Sequence, residues 1–170
     1  MRRALFKIAA TAVFTAALAT TANAQNFLKY GEVEGWKVFI DQEKKSCLIE
    51  AVDVNENVVQ MGLTKDRGVG YLGVFTKGET NIKRGETNEI VILIGNNVYA
   101  GEATGMRGNI TKGYSGGYVL SDSPQFAKDI AQQYEMVVFP KTEYAFVVDL
   151  SGTKKAMEMA RECNSKQISG

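Results

Sequence analysis

Histidine is absent from all 170 residues, and cysteine occurs only at Cys47 and Cys163. Without an imidazole there is no histidine-dependent catalytic triad and no zinc site of the usual His-containing kinds, and two thiols are few for a soft metal. An excess of charge of either sign is also missing: 20 Lys+Arg stand against 19 Asp+Glu, a formal net charge of +1. That balance argues against a nucleic-acid or anionic-membrane partner held by bulk electrostatics. Nothing reads as an internal repeat, a linker or a low-complexity tract.

What is present begins with MRRALFKIAATAVFTAALATTANA. Arg2, Arg3 and Lys7 form a basic start, an apolar, small-residue stretch follows, and Ala22-Asn23-Ala24 has the A-x-A form of a cleavage site. Residues 1–24 therefore read as a secretory signal peptide cut before Gln25. The competing reading is an uncleaved anchor, but the stretch after Lys7 is short and weakly hydrophobic for a span of about 20 residues. A lipid anchor would place a cysteine where Gln25 stands. No membrane span is expected after cleavage. The remaining 146 residues, 25–170, suit a single domain with 17 Lys+Arg, 19 Asp+Glu and a net charge of −2.

In an exported chain a lone cysteine pair reads as a structural disulfide, here Cys47 to Cys163. It would close a loop of more than a hundred residues, for which chain entropy gives roughly 4 to 5 kcal/mol.

Residues 36–54 read as two strands around a polar turn at Gln42 to Lys45, with Cys47, Ile49 and Ala51 on one face of the second. Further strands are expected at Val58 to Leu63, Val69 to Phe75, Glu89 to Ile94 and Val98 to Met106, with Gly95-Asn96-Asn97 as a hairpin turn. Glycines at 62, 70, 73, 101 and 105 predict bulges or close backbone approaches. Ser123-Pro124 starts a helix whose stripe is Phe126, Ala127, Ile130, Ala131 and Tyr134. A strand at Met136 to Phe139, a turn over residues 140–143 and a strand at Tyr144 to Leu150 follow. A last helix buries Ala156, Met159, Ala160 and Cys163, with Met157 at the edge and Arg161 on the polar face. Its methionines read as adaptable core filler. Ser151 or Thr153 can cap that helix, and Asp149 suits its N-terminal end. The expected fold is mainly β: an antiparallel β-sandwich or partly open barrel with two helices, the C-terminal one packed on the sheet.

Candidate sites are few. GVGYLG at residues 68–73 spells a dinucleotide fingerprint, but strand and turn follow it instead of the helix whose N-terminus would meet a pyrophosphate. DVNEN at 53–57 starts like a calcium loop, yet Val58 and Thr64 stand where Gly and Glu are required, so a polar turn is expected. GYSGGY at 113–118 sets Tyr114 and Tyr118 on a glycine segment; exposed tyrosines can stack on sugar faces, while rings folded over a core edge are commoner. Acid/base chemistry would fall to carboxylates such as Glu32, Glu34, Glu86, Glu89, Glu102 and Asp149, which sequence cannot pair across a cleft. No S-x-x-K or G-x-S-x-G context appears, and no cofactor or metal site is expected.

A signal peptide, Trp36 near the mature start, Cys47 in the second strand and the ending FVVDLSGTKKAMEMARECN form a recurring layout. With Leu150, Gly152, Ala156 and Cys163 as its terminal pattern, the chain resembles the invasion-associated locus B family of small bacterial envelope proteins. The resemblance implies a periplasmic or secreted β-sandwich without known catalytic residues, linked to host-cell association. Three functions are carried forward: a non-enzymatic envelope binding protein with a protein or glycan partner, a small-ligand or glycan binder using Tyr114 and Tyr118, and a carboxylate hydrolase.

Overall fold

The computed structural model describes residues 27–64, 68–78, 85–107, 114–139 and 145–168, with backbone alone for 104–107. The expected signal peptide, the turn over residues 140–143 and the first residue of the last expected strand lie outside them. The first strands are β1 (Phe27–Val33), β2 (Trp36–Asp41), β3 (Ser46–Val52), β4 (Val58–Leu63) and β5 (Gly70–Thr76). After these come β6 (Thr87–Ile94), β7 (Asn97–Arg107), β8 (Ser115–Ser121), α1 (Pro124–Gln132), β9 (Glu135–Val138), β10 (Phe146–Asp149) and α2 (Thr153–Ile168). No described helix is long and apolar enough to cross a membrane.

Among the described residues the strands form one antiparallel sheet in the order β1-β2-β3-β4-β5-β8-β7-β6-β9-β10. Its two edge strands share no ladder, yet the sheet curls until its halves face each other. Asn57, in the turn between β3 and β4, donates its side-chain amide to the Val147 carbonyl of β10 at 3.1 Å. Trp36 Nε1 of β2 reaches the Ser151 carbonyl at 2.7 Å. The result is the expected sandwich-like, partly open arrangement around one core. One row across its inner face shows how alternation builds it: Val38, Ile49, Met61, Leu72, Val119 and Ala103 are successive cross-strand partners, and all are buried. Removing side chains of this kind to alanine typically costs about 2 to 5 kcal/mol each.

Both helices lie where their caps and stripes put them. Ser123 Oγ accepts from the Phe126 N–H at 3.3 Å, and Pro124 opens α1. The helix ends at Gln132, so Tyr134 leaves the expected buried stripe and is 78% exposed. Gly152 turns the chain from β10 into α2 at φ +81°; a Cβ there would also stand 2.7 Å from Glu34 Cβ and 2.9 Å from the Glu34 carbonyl oxygen. Asp149 accepts from the Ser151 N–H at 2.7 Å, holding that turn. Along α2, Ala156 and Cys163 are fully buried while Met157, Met159 and Ala160 are half-buried against the core. Cys47 and Cys163 form the expected disulfide, with Cα atoms 6.0 Å apart, which ties α2 to β3 and fits an oxidising, extracytoplasmic compartment.

Two strands depart from the sequence reading. β1 is an edge strand; paired on one side only, it survives with an exposed start and few buried residues, so it lacks an apolar alternation. β8 runs through the segment expected to be a glycine loop. A Cβ on Gly116 would lie 2.0 Å from the Val74 carbonyl oxygen and 2.7 Å from Phe75 Cα, so glycine here permits close strand packing.

Candidate functional site

The placement of β8 decides what Tyr114 and Tyr118 do. Tyr118 pairs in register with Gly73 and lays its ring over that glycine, where a Cβ would meet ring carbons at 2.5 and 2.8 Å. Its ring also meets Tyr71 and Phe75 edge-on, at centroid distances of 5.6 and 5.2 Å. Across the gap left by Gly73, the Tyr118 hydroxyl donates to Gln60 at 2.6 Å, and Gln60 donates to Glu50 at 2.6 Å. Burial, and then the Glu50 charge, push the Tyr118 hydroxyl up to about 12, so it remains a donor at neutral pH. Tyr71 in turn covers Gly62, and its hydroxyl is raised by burial. The close approaches expected at Gly62 and Gly73 are therefore aromatic rings standing in for missing side chains. Tyr114 is half-buried just before β8, with the Lys77 ammonium 5.5 Å from its ring centroid. The two tyrosines flank a packed strand rather than a flexible loop.

The other sequence candidates resolve into structure. Asp53 spends its carboxylate on the N–H groups of Asn55 and Asn57, both at 2.8 Å, and on the Asn57 side chain. This is the expected polar turn. The fingerprint glycines at 70 and 73 lie in β5. Glu34 pairs with Lys155 and Glu32 with Lys29. Glu89 and Glu102 are direct cross-strand neighbours, but both are exposed on strands β6 and β7 rather than facing each other across a cleft.

Sequence reasoning missed two features. The first is a buried carboxylate, Asp129 of α1, which accepts from Asn97 Nδ2 at 2.6 Å, from Gln125 Nε2 at 2.7 Å and from the Tyr99 hydroxyl. Those hydrogen bonds, Tyr99 first, hold its carboxyl below the ordinary value of 3.8, while the bond to Asp129 and burial push Tyr99 up to about 12. Every donor is neutral and both carboxylate oxygens accept, so the cluster pins α1 onto β7. The spacing Asn97-x-Tyr99 on one strand face and Gln125-x-x-x-Asp129 on one helix face was its only sequence signal.

The second is a cavity of about 250 Å³ between the helices and the inner sheet face. Its floor is Ile49, Met61 and Leu72 of β3, β4 and β5; one wall is Phe126, Ala127 and Ile130 of α1; the other is Met157 and Ala160 of α2. The opposed alanines, Ala127 and Ala160, leave the space that larger side chains would fill. Cys47 contributes to the lining, so the disulfide braces this chamber directly. The polar lining comes from Ser121, Ser123, Tyr71, Asn164 and Arg161, the last of them exposed. Such a mostly apolar concavity with a few polar groups is the form taken by small-molecule sites, and its volume falls just below their usual range of about 300 to 1,000 Å³. No known family model, curated protein or solved structure matches the chain.

Proposed function

We propose that this chain is an exported, non-enzymatic binding protein of the bacterial envelope, and that it holds a small apolar ligand in the chamber between α1, α2 and β3–β5. The observation that carries the ligand reading is the chamber itself: an apolar space bounded by two helices that are each separately fastened to the sheet. Export is supported by the form of residues 1–24 and by the buried cystine. The layout that resembles the invasion-associated locus B family supports an envelope location, periplasmic or secreted. A binding role is favoured over hydrolysis because the buried carboxylate Asp129 is tied up on both oxygens by neutral donors and Glu89 and Glu102 stand exposed on adjacent strands.

The test is titration of the oxidised mature protein with the small, neutral apolar fluorophore 1-aminonaphthalene, whose size matches the chamber. The probe is expected to bind saturably at one site and to be lost from Ala160→Phe, which fills the chamber, and from Ala127→Phe, which fills it from the other wall. Retention of full binding by both filled variants, with circular dichroism unchanged, places binding elsewhere and ends this reading.

A further inference from the structure

The polar part of the chamber lining supplies mainly hydrogen-bond donors. Arg161 is the one charged residue of its lining, and among the described residues no carboxylate lies within ion-pair distance of it. Lys155 and Lys166 of the same helix are already paired, with Glu34 and Glu162. Ser121 and Ser123 each use the hydroxyl oxygen to accept a backbone N–H, from Ser123 and Phe126 respectively, which leaves the hydroxyl hydrogens to donate. Asn164 is held in place by accepting from the Cys47 N–H at 2.9 Å and donating to the Ala160 carbonyl at 3.0 Å, which leaves its second amide N–H to donate. Behind this donor set the space is apolar. A cavity of 250 Å³ compares with the about 150 Å³ that accommodates benzene, so it takes roughly ten carbon-sized atoms.

We infer that the occupant is a medium-chain alkyl carboxylate, its chain in the chamber and its anionic head at the mouth against the Arg161 guanidinium and the serine hydroxyls. The inference rests on the binding reading above and adds to it the sign of the head group. A carboxylate is the complement of a planar, permanently charged guanidinium without a partner, and its two oxygens match the fork of N–H donors. An alkylammonium would meet like charge, and an alcohol would leave the guanidinium to water. The chamber depth limits the chain, so longer acyl groups would have to project from the mouth.

The oxidised mature protein, loaded with 1-aminonaphthalene at neutral pH and low salt, is titrated with sodium octanoate, 1-octanol or octylamine. Octanoate is expected to displace the probe at about tenfold lower concentration than octanol, with octylamine weaker than both. Arg161→Gln should raise the octanoate value to that of octanol while leaving the probe and octanol values unchanged, which also shows that the variant is folded. Octanoate no better than octanol on the unaltered protein, or a preference that survives Arg161→Gln, overturns the head-group assignment and leaves the binding reading standing. Failure of the probe to bind at all overturns both.

Discussion

Helices α1 and α2 flank the same chamber and lie on the same sheet, but they are fastened by different chemistry. α2 is joined to β3 by the Cys47–Cys163 bridge and buries Ala156 and Cys163 completely. α1 has no covalent tie; beside Phe126 and Ile130 its buried side presents Asp129, gripped by Tyr99, Asn97 and Gln125. A cystine does not titrate, and a carboxylate cluster does not respond to thiols. One wall of the chamber should therefore yield to loss of the disulfide and the other to acid.

The largest effect expected from breaking this asymmetry is loss of the bridge. The two cysteines are separated by 116 positions, and the chain-entropy model assigns a loop of that length roughly 5 kcal/mol. For a domain of this size that corresponds to a fall in thermal midpoint on the order of 15 °C. The check is the Cys47→Ala/Cys163→Ala double variant, since both sulfurs are buried and reductant reaches them only on opening. Trp36, bonded to the Ser151 carbonyl just ahead of α2, reports the α2 end by fluorescence. A double variant that melts with the unaltered protein would remove the disulfide from the explanation.

Next in size is the acid response of α1. Asp129 has a carboxyl lowered in the folded state, so its contribution is fully present above the ordinary value of 3.8 and is lost as pH falls through the folded value. Asp129→Asn cannot make that contribution at any pH. Urea midpoints of the two proteins should differ most at neutral pH and converge in acid, with Asp129→Ala lower still because Tyr99, Asn97 and Gln125 all lose their shared acceptor. Parallel pH curves for the unaltered protein and Asp129→Asn would show that the carboxylate charge is not what holds α1.

This contrast also explains what the sequence made legible. Most of the strand set, the cap at Ser123, the turn at Gly152 and the pairing of Cys47 with Cys163 followed from periodicity, turn chemistry and cysteine count, because each is a local or countable signal; the cap expected at Ser151 or Thr153 did not, since the Thr153 hydroxyl donates to the Leu150 carbonyl. β8 was hidden because glycine reads as loop, whereas Gly116 permits close packing against Val74 and Phe75 of the neighbouring strand. β1 was hidden because an edge strand needs little apolar alternation. Asp129 and the chamber were hidden for a common reason: both arise where α1, more than twenty residues along the chain from Tyr99 and farther still from β3, is laid beside α2, and no local pattern encodes that juxtaposition.

The smallest effect belongs to a contact that looks as deliberate as the other two. Lys166 Nζ donates to the Tyr30 hydroxyl at 2.8 Å and to Glu162 at 2.7 Å, and Tyr30 donates to Glu162 at 3.0 Å, joining the end of α2 to β1. Lys166 lowers the Glu162 carboxyl, and Glu162 raises the Lys166 ammonium. Any stability from Glu162 is thus present above its ordinary range and lost in acid, while that from Lys166 is lost in alkali. Both side chains are more than half exposed, so solvent and salt screen the pair, and ordering two long side chains offsets what remains. The cystine three residues before Lys166 already fixes this part of α2. Lys166→Gln should therefore leave the thermal midpoint and its salt dependence unchanged, and the acid limb should remain that of Asp129. A loss in Lys166→Gln as large as in Asp129→Ala would mean that α2 is held at its surface rather than through its bridge.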